Sequence, residues 1–345
     1  MTPAGSARPA ESANGESEAT TEPEAIAALE ALLVAAPGRD TRRVSLRRRL
    51  AAVEGGGASD VVGHVIAEAD DEIVLLPESS GPVAVPRAAI TALREVPEQA
   101  VRPSSSPDKI ERMLDRTWLG IERARLGGWV LRASRGVTGR ANSVLVAGDP
   151  GVDIERAIEL AAQFYDRHGL PMRFQVVLGE EGGPQGLPTR PGGWTLRGGA
   201  DVLVTDLRRV DVAGASTVDA EWRFSEAPDD AWFSLWRGGG TTDDARSEVT
   251  AAPAVFVTCL GDDGAPVAVG RIGLTADWCV LSCLDVAPHR RRAGIGRATT
   301  FAMLEYARAR GARFAALQVE DGNDAATALY EGLGFTKHHR YAYAV

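Results

Sequence analysis

Residues 290–298, reading RRRAGIGRA, constrain this chain more than any other stretch because of what flanks them. Upstream, Trp278–Val286 (WCVLSCLDV) is an apolar run closed by Ala287-Pro288, the pattern of a buried strand. Downstream, residues 295–310 carry Ile295, Ala298, Thr299, Ala302, Met303, Tyr306 and Ala307 at helical spacing, and Gly311 supplies the stop. A strand that turns through glycines into a helix start gathers backbone N–H groups at one point. The helix dipole adds partial positive charge there, which suits a pyrophosphate. Arg290, Arg291, Arg292 and Arg297 bring side-chain charge to the same turn.

Several phosphate ligands fit such a turn, and so does tight strand–helix packing with no ligand. A dinucleotide fingerprint wants a third small residue after G-x-G-x-x, but Thr299 follows Gly294-Ile295-Gly296-Arg297-Ala298. Its acidic partner could be Glu320. The Gly-Lys-Ser/Thr of a nucleotide-triphosphate loop is absent.

The order of elements beyond the turn discriminates. Residues 313–320 (RFAALQVE) predict another strand, residues 323–333 (NDAATALYEGL) a second helix, and Gly334-Phe335 its end. Strand, glycine turn, helix, strand, helix and Gly-Phe together resemble the acetyl-coenzyme A region of the GNAT family of N-acetyltransferases, over residues 278–343. The family's R/Q-x-x-G-x-G/A element falls on Arg291, Gly294 and Gly296. Its N-x-x-A-x-x-L-Y-x-x-x-G-F element falls on Asn323, Ala326, Leu329, Tyr330, Gly334 and Phe335.

The resemblance implies a mixed α/β (α+β) acyl-CoA N-acyltransferase fold and direct transfer of an acetyl group from acetyl-CoA, the co-substrate, to an amine without a metal. Leu284, Asp285 and Val286 would offer backbone groups to the pantetheine arm. Arg291, Arg292, Ala293, Gly294, Ile295, Gly296 and Arg297 would hold the pyrophosphate, and Asn323 would contact the coenzyme. Tyr330 matches the family's general acid; a phenol with pKa near 10 is protonated at neutral pH and can donate. Each has a plainer alternative: Tyr330 as a packed helix-face aromatic, Asn323 as a helix N-cap. The glutamate that some members carry on the strand before the loop is replaced here by Val280. Glu248, Asp277, Asp285, Glu320, a water chain or an already neutral amine are the candidates for the base. Cys283 reads as a small core residue. With no strand glutamate, a module that senses acetyl-CoA without transferring its acetyl group, or that binds protein partners, is the alternative function.

The remaining chain reads as further domains. With 345 residues and 44% hydrophobic content, it has room for two or three. The net charge of −9 argues against general coating of nucleic acid. No run of about 18 apolar residues predicts a membrane span, and the N-terminus has no signal-peptide pattern. Three cysteines without metal or disulfide spacing point to a reducing, cytoplasmic setting.

Residues 1–38 predict a disordered acidic tail with a short helix at 24–34. Residues 39–98 hold about five short strands, the pattern of a small antiparallel barrel. It resembles the Src-homology-3-like barrel that precedes the acetyltransferase region in a group of actinobacterial GNAT proteins, one of them described as a histone acetyltransferase. Arg42, Arg43 and residues 47–49 form a basic cluster. It reads either as a solvated strand edge or as a contact for nucleic acid or an acidic protein.

After a linker at 99–109, residues 110–208 are expected to be a degenerate half of the same kind as the catalytic domain at 211–345. The stretches FYDRHGLPMRFQVV and EYARARGARFAALQV echo each other across the two. In the first copy the turn reads GDPGVD, whose acids and proline oppose phosphate. A helix is expected over 110–126. An aromatic helix at 229–236 is expected near the acceptor, with Trp232, Phe233 and Trp236 lining it or merely covering the sheet. The acceptor amine is a small molecule or a protein lysine.

Overall fold

The computed structural model describes residues 42–345 except 79, 190, 191, 211–217 and 219. The expected tail and its helix at 24–34 lie outside these residues.

Five antiparallel strands come first: β1 (Arg43–Arg49), β2 (Ala58–Glu68), β3 (Glu72–Leu76), β4 (Val83–Pro86) and β5 (Ile90–Glu95), in the order β4-β3-β2-β1-β5. Period-two alternation sends Val44 and Leu46 inward to meet Val65, Ile73, Leu75 and Val85, leaving the arginines of β1 outside. Gly63 is required where β2 crosses β3, because a Cβ there would lie 2.6 Å from the Leu76 carbonyl oxygen. Much of the basic cluster is internally compensated. Arg42 pairs with Glu68 at 2.5 Å, Arg48 with Glu54 at 3.0 Å, and Arg47 lies 3.8 Å from Asp60.

The rest forms one sheet of eleven strands flanked by helices. Its first half contains α1 (Pro107–Asp115), β6 (Glu122–Leu126), β7 (Trp129–Ala133), β8 (Val144–Leu145), α2 (Ile154–Arg167), β9 (Phe174–Val177) and β10 (Leu196–Asp206). The second contains β11 (Glu221–Ser225), α3 (Asp230–Leu235), α4 (Asp243–Thr250), β12 (Val255–Leu260), β13 (Pro266–Thr275), β14 (Trp278–Val286), α5 (Ile295–Ala309), β15 (Phe314–Glu320), α6 (Asp324–Glu331) and β16 (Thr336–Ala344).

The order β11-β12-β13-β14-β15-β10-β16-β9-β8-β7-β6 has an approximate twofold at its centre. Among the described residues only β14/β15 and β8/β9 are parallel, and each pair is bridged by one helix, α5 or α2. The echoed sequence motifs fall on these two equivalent helix–strand units. The central strands are exchanged: β10 of the first half pairs with β15, and β16 of the second pairs with β9.

The helix expected over 110–126 ends at Asp115, and residues 122–126 are instead strand β6. Gly120 at φ +73° turns the chain, and Glu122 to Leu126 find a hairpin partner in β7, so tertiary pairing overrides the helical reading. Helix α4 was not expected. Thr242 caps it by accepting the Ala245 N–H at 3.2 Å, ahead of Asp243 and Asp244 in the first turn.

A buried polar chain ties the halves together. Asp115 lies 2.5 Å from Arg123 and 3.1 Å from Arg132, and Arg132 donates to Gln175 at 2.8 Å. Gln175 donates to Glu111, whose other oxygen lies 3.0 Å from His339 on β16.

Candidate active site

Strands β14 and β15 run together from Trp278↔Phe314 to Leu281↔Leu317 and then part. A bulge drives the separation. The β13–β14 register slips between Val269 and Arg271, and Cys283 adopts φ +55° at the extra residue. Past Leu281, β14 is laddered to β13 alone, leaving its other edge open to a ligand.

A cavity of about 320 Å³ lies in this wedge. The second half supplies Ser282, Cys283, Leu284 and Asp285, Gln318 and Glu320, Trp236 and Arg237, and Tyr341 and Tyr343. The first half supplies Trp118, Ala200 and Thr138 to Arg140. Cys283 therefore borders the cavity as well as packing on the core. Burial pushes its thiol up to about 11, partly opposed by Arg271.

The glycine turn follows directly. Ala287 is buried, a tight 3₁₀ turn spans Pro288–Arg290, and Arg292 (φ +60°) and Gly294 (φ +79°) swing the chain into α5. The first intrahelical bond runs from the Ala298 N–H to the Gly294 carbonyl at 3.0 Å. The amides before it therefore point along the axis toward solvent-exposed residues 291–294. A Cβ on Gly296 would meet a Val286 methyl at 3.4 Å, so α5 packs directly against the end of β14. Arg291 donates to the Val286 carbonyl at 3.1 Å, and Arg297 donates to the Gly332 carbonyl at 3.1 Å. This geometry fits a pyrophosphate at the helix start and a pantetheine arm along the open edge of β14.

Leu284 and Asp285 are brought to the cavity, and Val286 stands beside the turn. Asn323 caps α6, accepting the Ala326 N–H at 3.2 Å, and does not line the cavity. Nor does Tyr330, which is 8% exposed and packs edge-on against Phe335; burial raises its hydroxyl well above the usual value.

Of the four carboxylates, Asp285 and Glu320 border the cavity. Asp277 is paired with Arg102 at 2.8 Å, and buried Glu248 accepts from the Thr138 hydroxyl at 2.5 Å. Val280 is buried in the core. Among the expected aromatics only Trp236 lines the cavity; Trp232 and Phe233 pack beneath it with Phe256.

Sequence reasoning missed Trp118, Arg140, Tyr341 and Tyr343. The alternation YAY in β16 places both tyrosines on one face, a readable signal. Their rings meet edge to face with centroids 5.7 Å apart, and burial raises both hydroxyls. Nothing near Arg140 marks it, because it reaches the site only through the exchanged sheet.

The equivalent wedge in the first half is filled. Gly179 to Leu187 folds back so that the Gln185 N–H bonds the Val177 carbonyl at 2.9 Å and Leu178 bridges Pro184. The Arg112 guanidinium donates to the Ala147 carbonyl.

Comparison with known proteins agrees with this architecture. The family model for the C-terminal region of the probable histone acetyltransferase Rv0428c matches residues 106–344. The Mycobacterium tuberculosis protein of that name is 28% identical over 317 residues, covering 90% of this chain and 96% of its own. An uncharacterized N-acetyltransferase of Bacillus subtilis, YobR, is 27% identical over 259 residues, covering 67% of this chain and 96% of its own. A solved GCN5-related N-acetyltransferase from Kribbella flavida superposes with a TM-score of 0.50 at 18% identity, over 70% of this chain and 95% of that one. With the glycine turn, the parted strands and the matched region in agreement, the chain belongs to the Rv0428c C-terminal family of GNAT-type N-acetyltransferases and is an acyltransferase.

Proposed function

We propose that this acyltransferase moves the acetyl group of acetyl-CoA directly to an amine. One observation carries the reading: the wedge between β14 and β15 opens beside the Gly294 turn, with a polar cavity at its apex. Backbone amides at the start of α5, with Arg291, Arg292 and Arg297 near them, hold the diphosphate. The carbonyls and amides of Leu284, Asp285 and Val286 take the pantetheine arm, leaving one N–H to polarise the acetyl oxygen. Asn323 borders the coenzyme from α6. Acetyl-CoA supplies an activated acyl group, and the residues around it orient the amine and exclude water.

Tyr330 is the proposed proton donor to the departing thiolate; its raised hydroxyl stays protonated across the physiological range. Glu320, exposed at the rim, is the proposed base.

In this reading residues 42–98 form a Src-homology-3-like module, the half that opens with α1 and runs to 208 is a degenerate acetyltransferase copy, and 211–345 is the catalytic domain. The protein works in the cytoplasm, where Cys259, Cys279 and Cys283 stay reduced. Titration calorimetry with acetyl-CoA, followed by thiol release across an amine panel, tests the proposal. Binding without thiol release beyond the hydrolysis blank would overturn the transfer reading.

A further inference from the structure

The floor of the cavity is cationic, with Trp118 and Arg140 from the first half and Arg271 of the second packed on Trp118. The Trp118 ring lies between two guanidinium groups, with Arg140 Cζ 4.8 Å and Arg271 Cζ 5.0 Å from its centroid. Arg271 is 1% exposed and donates to the Val249 and Ala252 carbonyls at 3.0 and 3.2 Å. Among the described residues, neither guanidinium has a carboxylate within 4.0 Å. Arg140 donates to Gln318 while its Nε is buried without a partner, as are Trp118 Nε1, Ser282 Oγ and Gln318 Nε2. Four unpartnered polar atoms on residues around one cavity leave hydrogen-bonding capacity that a polar ligand can satisfy.

The floor is also rigid. Asn142 is 1% exposed, and its side chain accepts the Ser134 and Gly136 N–H groups at 2.7 and 2.8 Å and donates to the Thr138 carbonyl at 2.7 Å. Gly139 presses on Tyr343, where a Cβ would sit 2.9 Å from the ring. The loop that presents Arg140 is thus pinned from both sides before any ligand arrives.

Resting on the proposed acetyl transfer, we infer that the acceptor is a small amine bearing a carboxylate, whose anionic end pairs with Arg140 at the floor. A guanidinium fork matches a carboxylate in two parallel hydrogen bonds, and a partly buried cation without a counter-ion gains most from one. Glu320, exposed on the cavity lining, offers a carboxylate to the amine end of such a ligand, while Asp285 is held by the Arg237 N–H and lies 3.7 Å from Arg291. A lysine side chain of a protein would enter ammonium first, toward the Arg140 guanidinium, which has no carboxylate partner among the described residues.

The test uses the full chain saturated with CoA and calorimetric titration of α- and ω-amino acids, the matching alkylamines and a lysine-bearing tail peptide. Thiol release with acetyl-CoA is measured on the same panel. Amino acids should bind and be acetylated in preference to the alkylamines. Arg140→Met should raise their Kd and KM on the order of 30-fold while acetyl-CoA affinity holds steady. Arg140→Lys should recover part of the loss, and melting curves verify that both variants fold. Preference for alkylamines or the peptide, failure of every amino acid to bind, or an Arg140→Met profile equal to wild type would each overturn the inference. Acetyl-CoA binding in those cases keeps the proposed transfer standing; its absence removes both.

Discussion

The Asp285 carboxylate accepts the backbone N–H of Arg237 at 3.0 Å, tying the strand beside the glycine turn to the loop that walls the cavity. Its other oxygen lies 3.7 Å from Arg291, so one side chain joins both margins of the site. Arg237 holds φ +55° and ψ +33°, a left-handed conformation followed by Gly238 at φ +71°. Replacing Asp285 by Ala should destabilise the fold by about 1–2 kcal/mol and lower kcat/KM for the amine more than coenzyme affinity. Arg237→Gly should do the reverse to stability, adding about 1 kcal/mol by removing a side chain from left-handed backbone. Denaturant melts check both, and an unstabilised Arg237→Gly would show that the kink is not strained.

Gly294 stands at φ +79°, with space for a Cβ 3.6 Å from Val218. Gly294→Ala should therefore cost about 1–2 kcal/mol through backbone strain rather than clash. Gly294→Asp adds a negative charge where the helix start favours anions and should weaken acetyl-CoA on the order of tenfold further. Unchanged affinity by calorimetry would remove the turn from the coenzyme site.

Tyr330 offers a division between chemistry and binding. If it protonates the thiolate, Tyr330→Phe should cut kcat by on the order of 100-fold and leave the acetyl-CoA Kd nearly unchanged. An equal loss in both would make it a packing residue of the core it shares with Phe335. Tyr341→Phe and Tyr343→Phe serve as comparison, since those two hydroxyl-bearing rings line the cavity.

Asp115 links stability to pH. Burial pushes its carboxyl up, but Arg123 and Arg132 outweigh burial and hold it below the ordinary carboxylate range. Its folded pKa lies below its unfolded value, so the stabilisation is complete above the unfolded pKa near 4 and is lost as pH falls through the folded one. Asp115→Asn should cost about 3–5 kcal/mol at neutral pH by leaving Arg132 buried without its partner. The variant should also lose less stability than wild type between neutral pH and pH 3, as urea melts at both pH values would reveal.

What could be read before the fold was local. The turn from Val286 to Ile295 and the cap at Asn323 are written in adjacent residues, and their contacts lie close in sequence. The echo between the segments ending in β9 and β15 was legible for the same reason. The strand at 122–126 was not, because its helical spacing is overruled by a hairpin partner. Arg140 escaped notice because its partners Trp118 and Gln318 are 22 and 178 positions away, and only the assembled sheet brings all three together.

Because β10 and β16 cross over at the middle of the sheet, neither half can be excised as an independent unit. Each would carry off the strand that finishes its neighbour. Folding must wait for the last nine-residue strand, Thr336–Ala344, to dock beside a segment made some 140 residues earlier. That knitting gives selection a reason to retain the first copy: it completes the shared sheet and supplies the other wall of the cavity beside β14.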